Sequence, residues 1–112
     1  MNANQLFLDR FSELKKDFAA QLPPRLKAID DALQACREPL GDEARRQDLY
    51  RLLHSLGGAA GSFGFVQLGL DAQRIEAKLT AQAQRGSWSE HDMAQIAQAL
   101  ALLKQEIPAG QP

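Results

Sequence analysis

An all-α fold is predicted by three observations. Strand signals are absent, since no alternating run of β-branched residues and no Asn-Gly or Asp-Gly hairpin turn occurs. Alanine, leucine, glutamine and glutamate dominate, and these are good helix formers. Apolar residues recur at spacings of three and four in segments divided by short Pro- or Gly-containing breaks. Short loops between amphipathic helices imply antiparallel neighbours. The expected architecture is therefore an up-and-down antiparallel four-helix bundle with helices at about 23–37, 42–63, 66–84 and 89–107, plus an additional N-terminal helix at about 5–21 packed across or along one end.

The N-terminal helix takes Asn2 or Asn4 as its cap, and Leu6, Phe7, Phe11, Leu14 and Phe18 give it an apolar stripe. Leu22-Pro23-Pro24 should break or bend the path, because proline disfavours helical geometry in the residue before it. Proline is tolerated in a first turn, so a new helix starts there and buries Leu26, Ile29, Leu33 and Cys36. Glu38-Pro39-Leu40-Gly41 is a turn, and Asp42 caps the next helix. That helix ends near Phe63, with Gly64 free to adopt the left-handed terminating conformation. On the helix at 66–84, Leu68, Ala72, Ile75 and Leu79 point inward, while Gln73, Arg74, Glu76 and Lys78 face water. Arg85-Gly86-Ser87 closes it. Ser89 and Asp92 then form a capping box flanked by Trp88 and Met93, and Met93, Ile96, Ala97, Leu100, Leu103 and Ile107 supply the last stripe. Pro108 stops that helix, and residues 109–112 are expected to be a flexible tail.

Composition narrows the function. The 112 residues suit one domain, 1–112, with a core that needs neither disulfide nor metal. A net charge of −1 argues against nucleic-acid binding, which requires clustered Lys and Arg. No apolar run approaches a membrane span and no signal-peptide pattern appears, so a cytoplasmic protein is expected. Cys36 stands alone, which excludes disulfide scaffolds and cysteine-rich zinc sites. Polar outer faces on an isolated bundle suggest a monomer.

Residues 49–65, LYRLLHSLGGAAGSFGF, carry the chemistry. Leu49, Leu52, Leu53, Leu56, Ala60 and Phe63 line one helix face, which leaves His54 roughly 140° from the face centre, on the solvent flank. Gly57 and Gly58 lie one turn beyond His54, and Gly61 two turns beyond. Each interior glycine costs a helix about 1 kcal/mol relative to alanine, so three cost roughly 3 kcal/mol. Close helix–helix packing would explain them, but their position towards the polar flank favours a space cleared around the imidazole. Near neutral pH histidine offers a nitrogen nucleophile. Acyl transfer would need a further base and an oxyanion site, and metal binding would need ligands that neither an HExxH nor a Glu-x-x-His pair supplies; no metal site is expected. Accepting a phosphoryl group needs less: an accessible ring nitrogen, room for in-line approach and nearby positive charge.

The run from His54 to Gly64 resembles the signature of histidine-containing phosphotransfer (HPt) domains of multistep two-component phosphorelays. That pattern is His-x-Leu-Lys-Gly, then small residues, then Gly six positions after the first Gly. His54, Leu56, Gly58 and Gly64 match it, and the helical surroundings fit nearly the whole chain. The resemblance implies that His54 is the phosphoacceptor, taking phosphate from a receiver-domain aspartate and passing it to another. It implies receiver domains and a sensor or hybrid histidine kinase as partners. It also implies a module without autonomous catalysis and without cofactor, Mg²⁺ being expected on the receiver partner only. Gly58 keeps the neighbouring surface open. Three other readings stand beside this one: an HPt-like module that docks a partner without phosphotransfer, a domain phosphorylated directly by a kinase module, and a purely structural bundle.

One position departs from the pattern. The family lysine three residues after the histidine is Gly57, so its charge must come from elsewhere or be missing. Arg51, three residues before His54, is the nearest candidate, and Arg74 and Lys78 on the following helix are others. Where the family often has a glutamine bonding the histidine's second nitrogen, this sequence has Glu76, whose carboxylate would fix the tautomer and raise basicity. Tyr50, Phe65, Arg74 and Lys78 are candidates for the docking surface, with core packing the competing role for Phe65. Phe63 fits the core stripe, and His91 has no expected role.

Overall fold

The computed structural model describes residues 2–107 and contains four helices: α1 Ala3–Ala35, α2 Glu43–Ser62, α3 Val66–Gln84 and α4 Glu90–Lys104. Consecutive helices pack on one another and α1 also meets α4, which closes the bundle. Pro108 and the expected tail at 109–112 lie outside the described residues.

The separate N-terminal helix does not exist. The expected helices at 5–21 and 23–37 are one 33-residue helix that runs through Pro23 and Pro24. Leu22 and Ile29, on either side of the prolines, are both 1% exposed in the same core, while the two prolines face water. Burial on both sides therefore keeps the helix continuous across the prolines, although each proline leaves one carbonyl a turn earlier without its helical donor. At about 1.5 Å per residue α1 is about 50 Å long, close to the 57 Å long axis of the molecule. Its first turns thus extend along the bundle axis rather than across an end. Leu6 and Phe7, expected in a packed stripe, are 58% and 68% exposed, and burial begins in earnest at Phe18.

Local signals set the other boundaries. Asn2 accepts from Gln5 N at 2.8 Å, and Asp42 accepts from Arg45 N at 3.1 Å. Ser89 and Asp92 form the reciprocal capping box. Gly41, Gly64 and Gly86 take positive φ at the three turns. The last helix stops at Lys104, short of the expected 107. The core joins Leu22, Ile29, Leu33 and Cys36 of the α1 end to Leu49, Leu53 and Leu56 of α2, Ala72, Ile75 and Leu79 of α3, and Met93, Ile96, Leu100 and Leu103 of α4. Trp88 closes the α3–α4 turn, its indole N–H donating to Gln82 Oε1 at 2.6 Å.

Asp92 makes this turn pH-sensitive. Hydrogen bonds from the Ser89 backbone and from Arg85 hold its carboxyl below the ordinary 3.8. The unfolded chain therefore binds that proton more tightly than the folded one. The group's contribution is complete above its ordinary range and is lost as pH falls through the lower folded value. Thermal midpoints measured across the acid range should show Asp92→Asn less stable at neutral pH, with the gap to the parent chain narrowing below about pH 4.

Candidate functional site

His54 projects from the middle of α2, with its side chain 74% exposed. Its Nδ1 lies 2.7 Å from Glu76 Oε1, on the facing turn of α3. Glu76 is buried rather than outward-facing as its place in the helical pattern suggested: its side chain is 11% exposed. The difference arises because α2 crosses α3 beside it, so that position faces the α2 imidazole instead of water. An ionised carboxylate only accepts hydrogen bonds, so the Nδ1–H donates to it and the Nε2 lone pair is left pointing outward.

Position along α2 shapes the space around the ring. Tyr50, one turn before, lies parallel to the imidazole, with centroids 6.1 Å apart and planes inclined by 9°. Gly58, one turn after, presents bare backbone: a Cβ built there meets nothing within 4 Å. A groove of about 560 Å³ runs past these three residues along α3, where Gln73, Glu76, Ala77 and Thr80 form its other wall. Gln73 is part of this wall, a place that the outward periodicity of α3 had not singled out.

The glycines divide into two groups. Gly58 and Gly61 have open space where a side chain would stand. Gly57 is buried, its virtual Cβ 3.5 Å from Ala72 Cβ and from Gly69 O. Packing against α3 is thus the local role of Gly57, contrary to the polar-flank expectation. Gly69 completes the contact, because a Cβ there would stand 3.1 Å from Gly57 O and 3.4 Å from Gly61 N. Absence of a side chain on Gly69 lets the two backbones approach and brings Glu76, two turns further on, within reach of His54. Gly69→Leu should push the helices apart and lower stability by about 2 kcal/mol, read as a thermal midpoint roughly 10 °C lower.

The candidate cations are placed elsewhere. Arg51 pairs with Asp48, one turn back on the exposed side of α2. Arg74 pairs with Asp71 at 3.1 Å and, with Lys78, lines the hollow between α3 and α4. These two residues therefore do not share the groove of His54, whereas Tyr50 does. Phe65 packs on Phe18 with ring centroids 5.4 Å apart, below Lys15, and is half-buried at the end of the bundle. Among the described residues no group of three or more His, Cys, Asp or Glu side chains is arranged to hold a metal ion. No described helix is long and apolar enough to cross a membrane.

One ring nitrogen of His54 is bonded to a nearly buried carboxylate, while the ring itself stands 74% exposed beside a groove bordered by Tyr50 and Gly58. A family model described as Hpt domain matches residues 13–106, most of the chain. No curated protein and no solved structure gives a significant match.

Proposed function

Since this chain belongs to the Hpt domain family of histidine phosphotransfer intermediates in two-component phosphorelays, we propose that His54 is the residue that carries its phosphoryl group. The observation that carries this reading is the 2.7 Å contact of His54 Nδ1 with Glu76, on a ring that is otherwise 74% exposed. The family works with receiver and kinase domains. Here the Nε2 lone pair attacks the phosphorus of a receiver's aspartyl phosphate, the P–O bond to the aspartate breaks, and the aspartate leaves as a carboxylate. Attack by the carboxylate of a second receiver reverses these events and returns the electron pair to Nε2. The chain supplies the nucleophile and its orientation, and the receiver supplies Mg²⁺ and the cation that steadies the phosphoryl oxygens. Gly58 and Tyr50 bound the docking surface, which a monomer in the cytoplasm presents unobstructed.

The test is incubation with a receiver carrying labelled aspartyl phosphate. The expected product is a label on this chain that is lost in acid and survives alkali, as phosphohistidine does. Failure of every receiver in a broad panel to label the chain would overturn the proposal.

A further inference from the structure

The carboxylate at position 76 does more than choose a tautomer. When Nε2 of an imidazole protonated at Nδ1 takes up a phosphoryl group, no proton has to leave, so the ring becomes a phosphoimidazolium cation. The N–H that faces Glu76 Oε1 at 2.7 Å then carries part of that charge, and a charge-assisted bond to a nearly buried carboxylate is stronger than a neutral one. A neutral amide at the same place would accept the same hydrogen bond without the charge.

The phosphoryl oxygens have no equal support from the described residues. The position one turn past His54 is Gly57, packed on Ala72. Arg51 is held by Asp48, and Arg74 by Asp71 on the far side of α3, beside Lys78. Arg25, from α1, is engaged by Ser55 Oγ at 3.4 Å and by the Phe18 ring. Tyr50 is the remaining titratable neighbour on α2. The site therefore stabilises charge on the ring but not on the phosphate.

From this asymmetry we infer that Glu76 is a positioning residue that keeps phosphorylated His54 in its cationic form and so makes this chain a pass-through carrier rather than a phosphate store. The inference rests on His54 being the phosphoacceptor. A phosphoimidazolium expels neutral imidazole when the N–P bond breaks, whereas a ring lacking the Nδ1 proton would have to expel an anion. The first is much the better leaving group. Breaking the N–P bond returns the electron pair to Nε2 and restores the starting tautomer against Glu76, with no net proton movement.

Glu76→Gln, of nearly the same shape, separates charge from hydrogen bonding. Once the parent chain has been labelled by a phosphorylated receiver, its label and that on Glu76→Gln are followed alone and after addition of an unphosphorylated receiver. The variant is expected to keep its label about tenfold longer and to pass it on about tenfold more slowly, the ratio expected between a charge-assisted and a neutral hydrogen bond. Nitrogen NMR of the labelled chains at mildly alkaline pH supplies a reading that a structural role would not move: Nδ1 stays protonated in the parent and loses its proton in the variant. Equal lifetimes and equal Nδ1 protonation in parent and Glu76→Gln would overturn the inference and leave the role of His54 standing. A parent chain that never takes up label would instead overturn the phosphoacceptor reading.

Discussion

His54→Gln is expected to reduce transfer from a phosphorylated receiver to background while leaving the fold intact. Glutamine keeps a polar side chain of similar reach, and its amide N–H still donates towards the Glu76 carboxylate, which would otherwise be left buried without a partner. What it lacks is a nitrogen lone pair able to bond to phosphorus, because the amide nitrogen's pair is delocalised into the carbonyl. The imidazole is 74% exposed and contributes little to the core. Unfolding free energy should therefore change by less than about 1 kcal/mol. The decisive comparison is the label on the variant against its thermal midpoint. Loss of both would point to a folding defect, and persistence of the label would move the phosphoacceptor to another residue. His91, exposed in the first turn of α4, is the other histidine in the chain and provides the control. His91→Gln should transfer at the parental rate.

What could be read in advance follows the range of the physics involved. Caps and turns are local, so Asp42, Ser89 with Asp92, Gly64 and Gly86 mark element ends by their own chemistry. Pro23-Pro24 carries an equally local signal that points the wrong way. The burial of Leu22 and Ile29 outweighs it, and that burial depends on α2 and α4, which no local rule sees. The position of Glu76 is misjudged for a similar reason. Periodicity assigns a charged residue to water, and the partner that makes its burial tolerable is 22 residues away on another helix. The resemblance to a glutamine-bearing family pattern is what singles it out. Two oversights had a visible signal. Asp48 and Asp71 each stand three residues before a candidate arginine, at helical spacing for an ion pair, so both cations were already engaged. Gly57 on α2 meets the small residues Gly69 and Ala72 on α3, which is the pattern of two helices in close approach.

Gly58→Gln should separate stability from function in opposite directions. The native glycine weakens the middle of α2, and glutamine is a better helix former, so the change gains about 0.5 kcal/mol of intrinsic propensity. Nothing among the described residues opposes it at the Cβ position, which has no neighbour within 4 Å. The variant should melt at or slightly above the parental temperature. Transfer should nonetheless fall by about a hundredfold or more, since a side chain one turn from His54 stands where a receiver must bring its aspartyl phosphate in line with Nε2, and a displacement of about 1 Å is enough for such a loss. Gly58→Ala, with a single added methyl, should lie between the two. Gly61→Ala is the control, because its Cβ is equally free and should gain similar stability with transfer near the parental rate. A receiver that still phosphorylates Gly58→Gln at full rate would show that partners approach from the Tyr50 side of the imidazole. Tyr50 would then form the floor of the docking surface rather than its wall, and Tyr50→Ala would become the variant that blocks transfer.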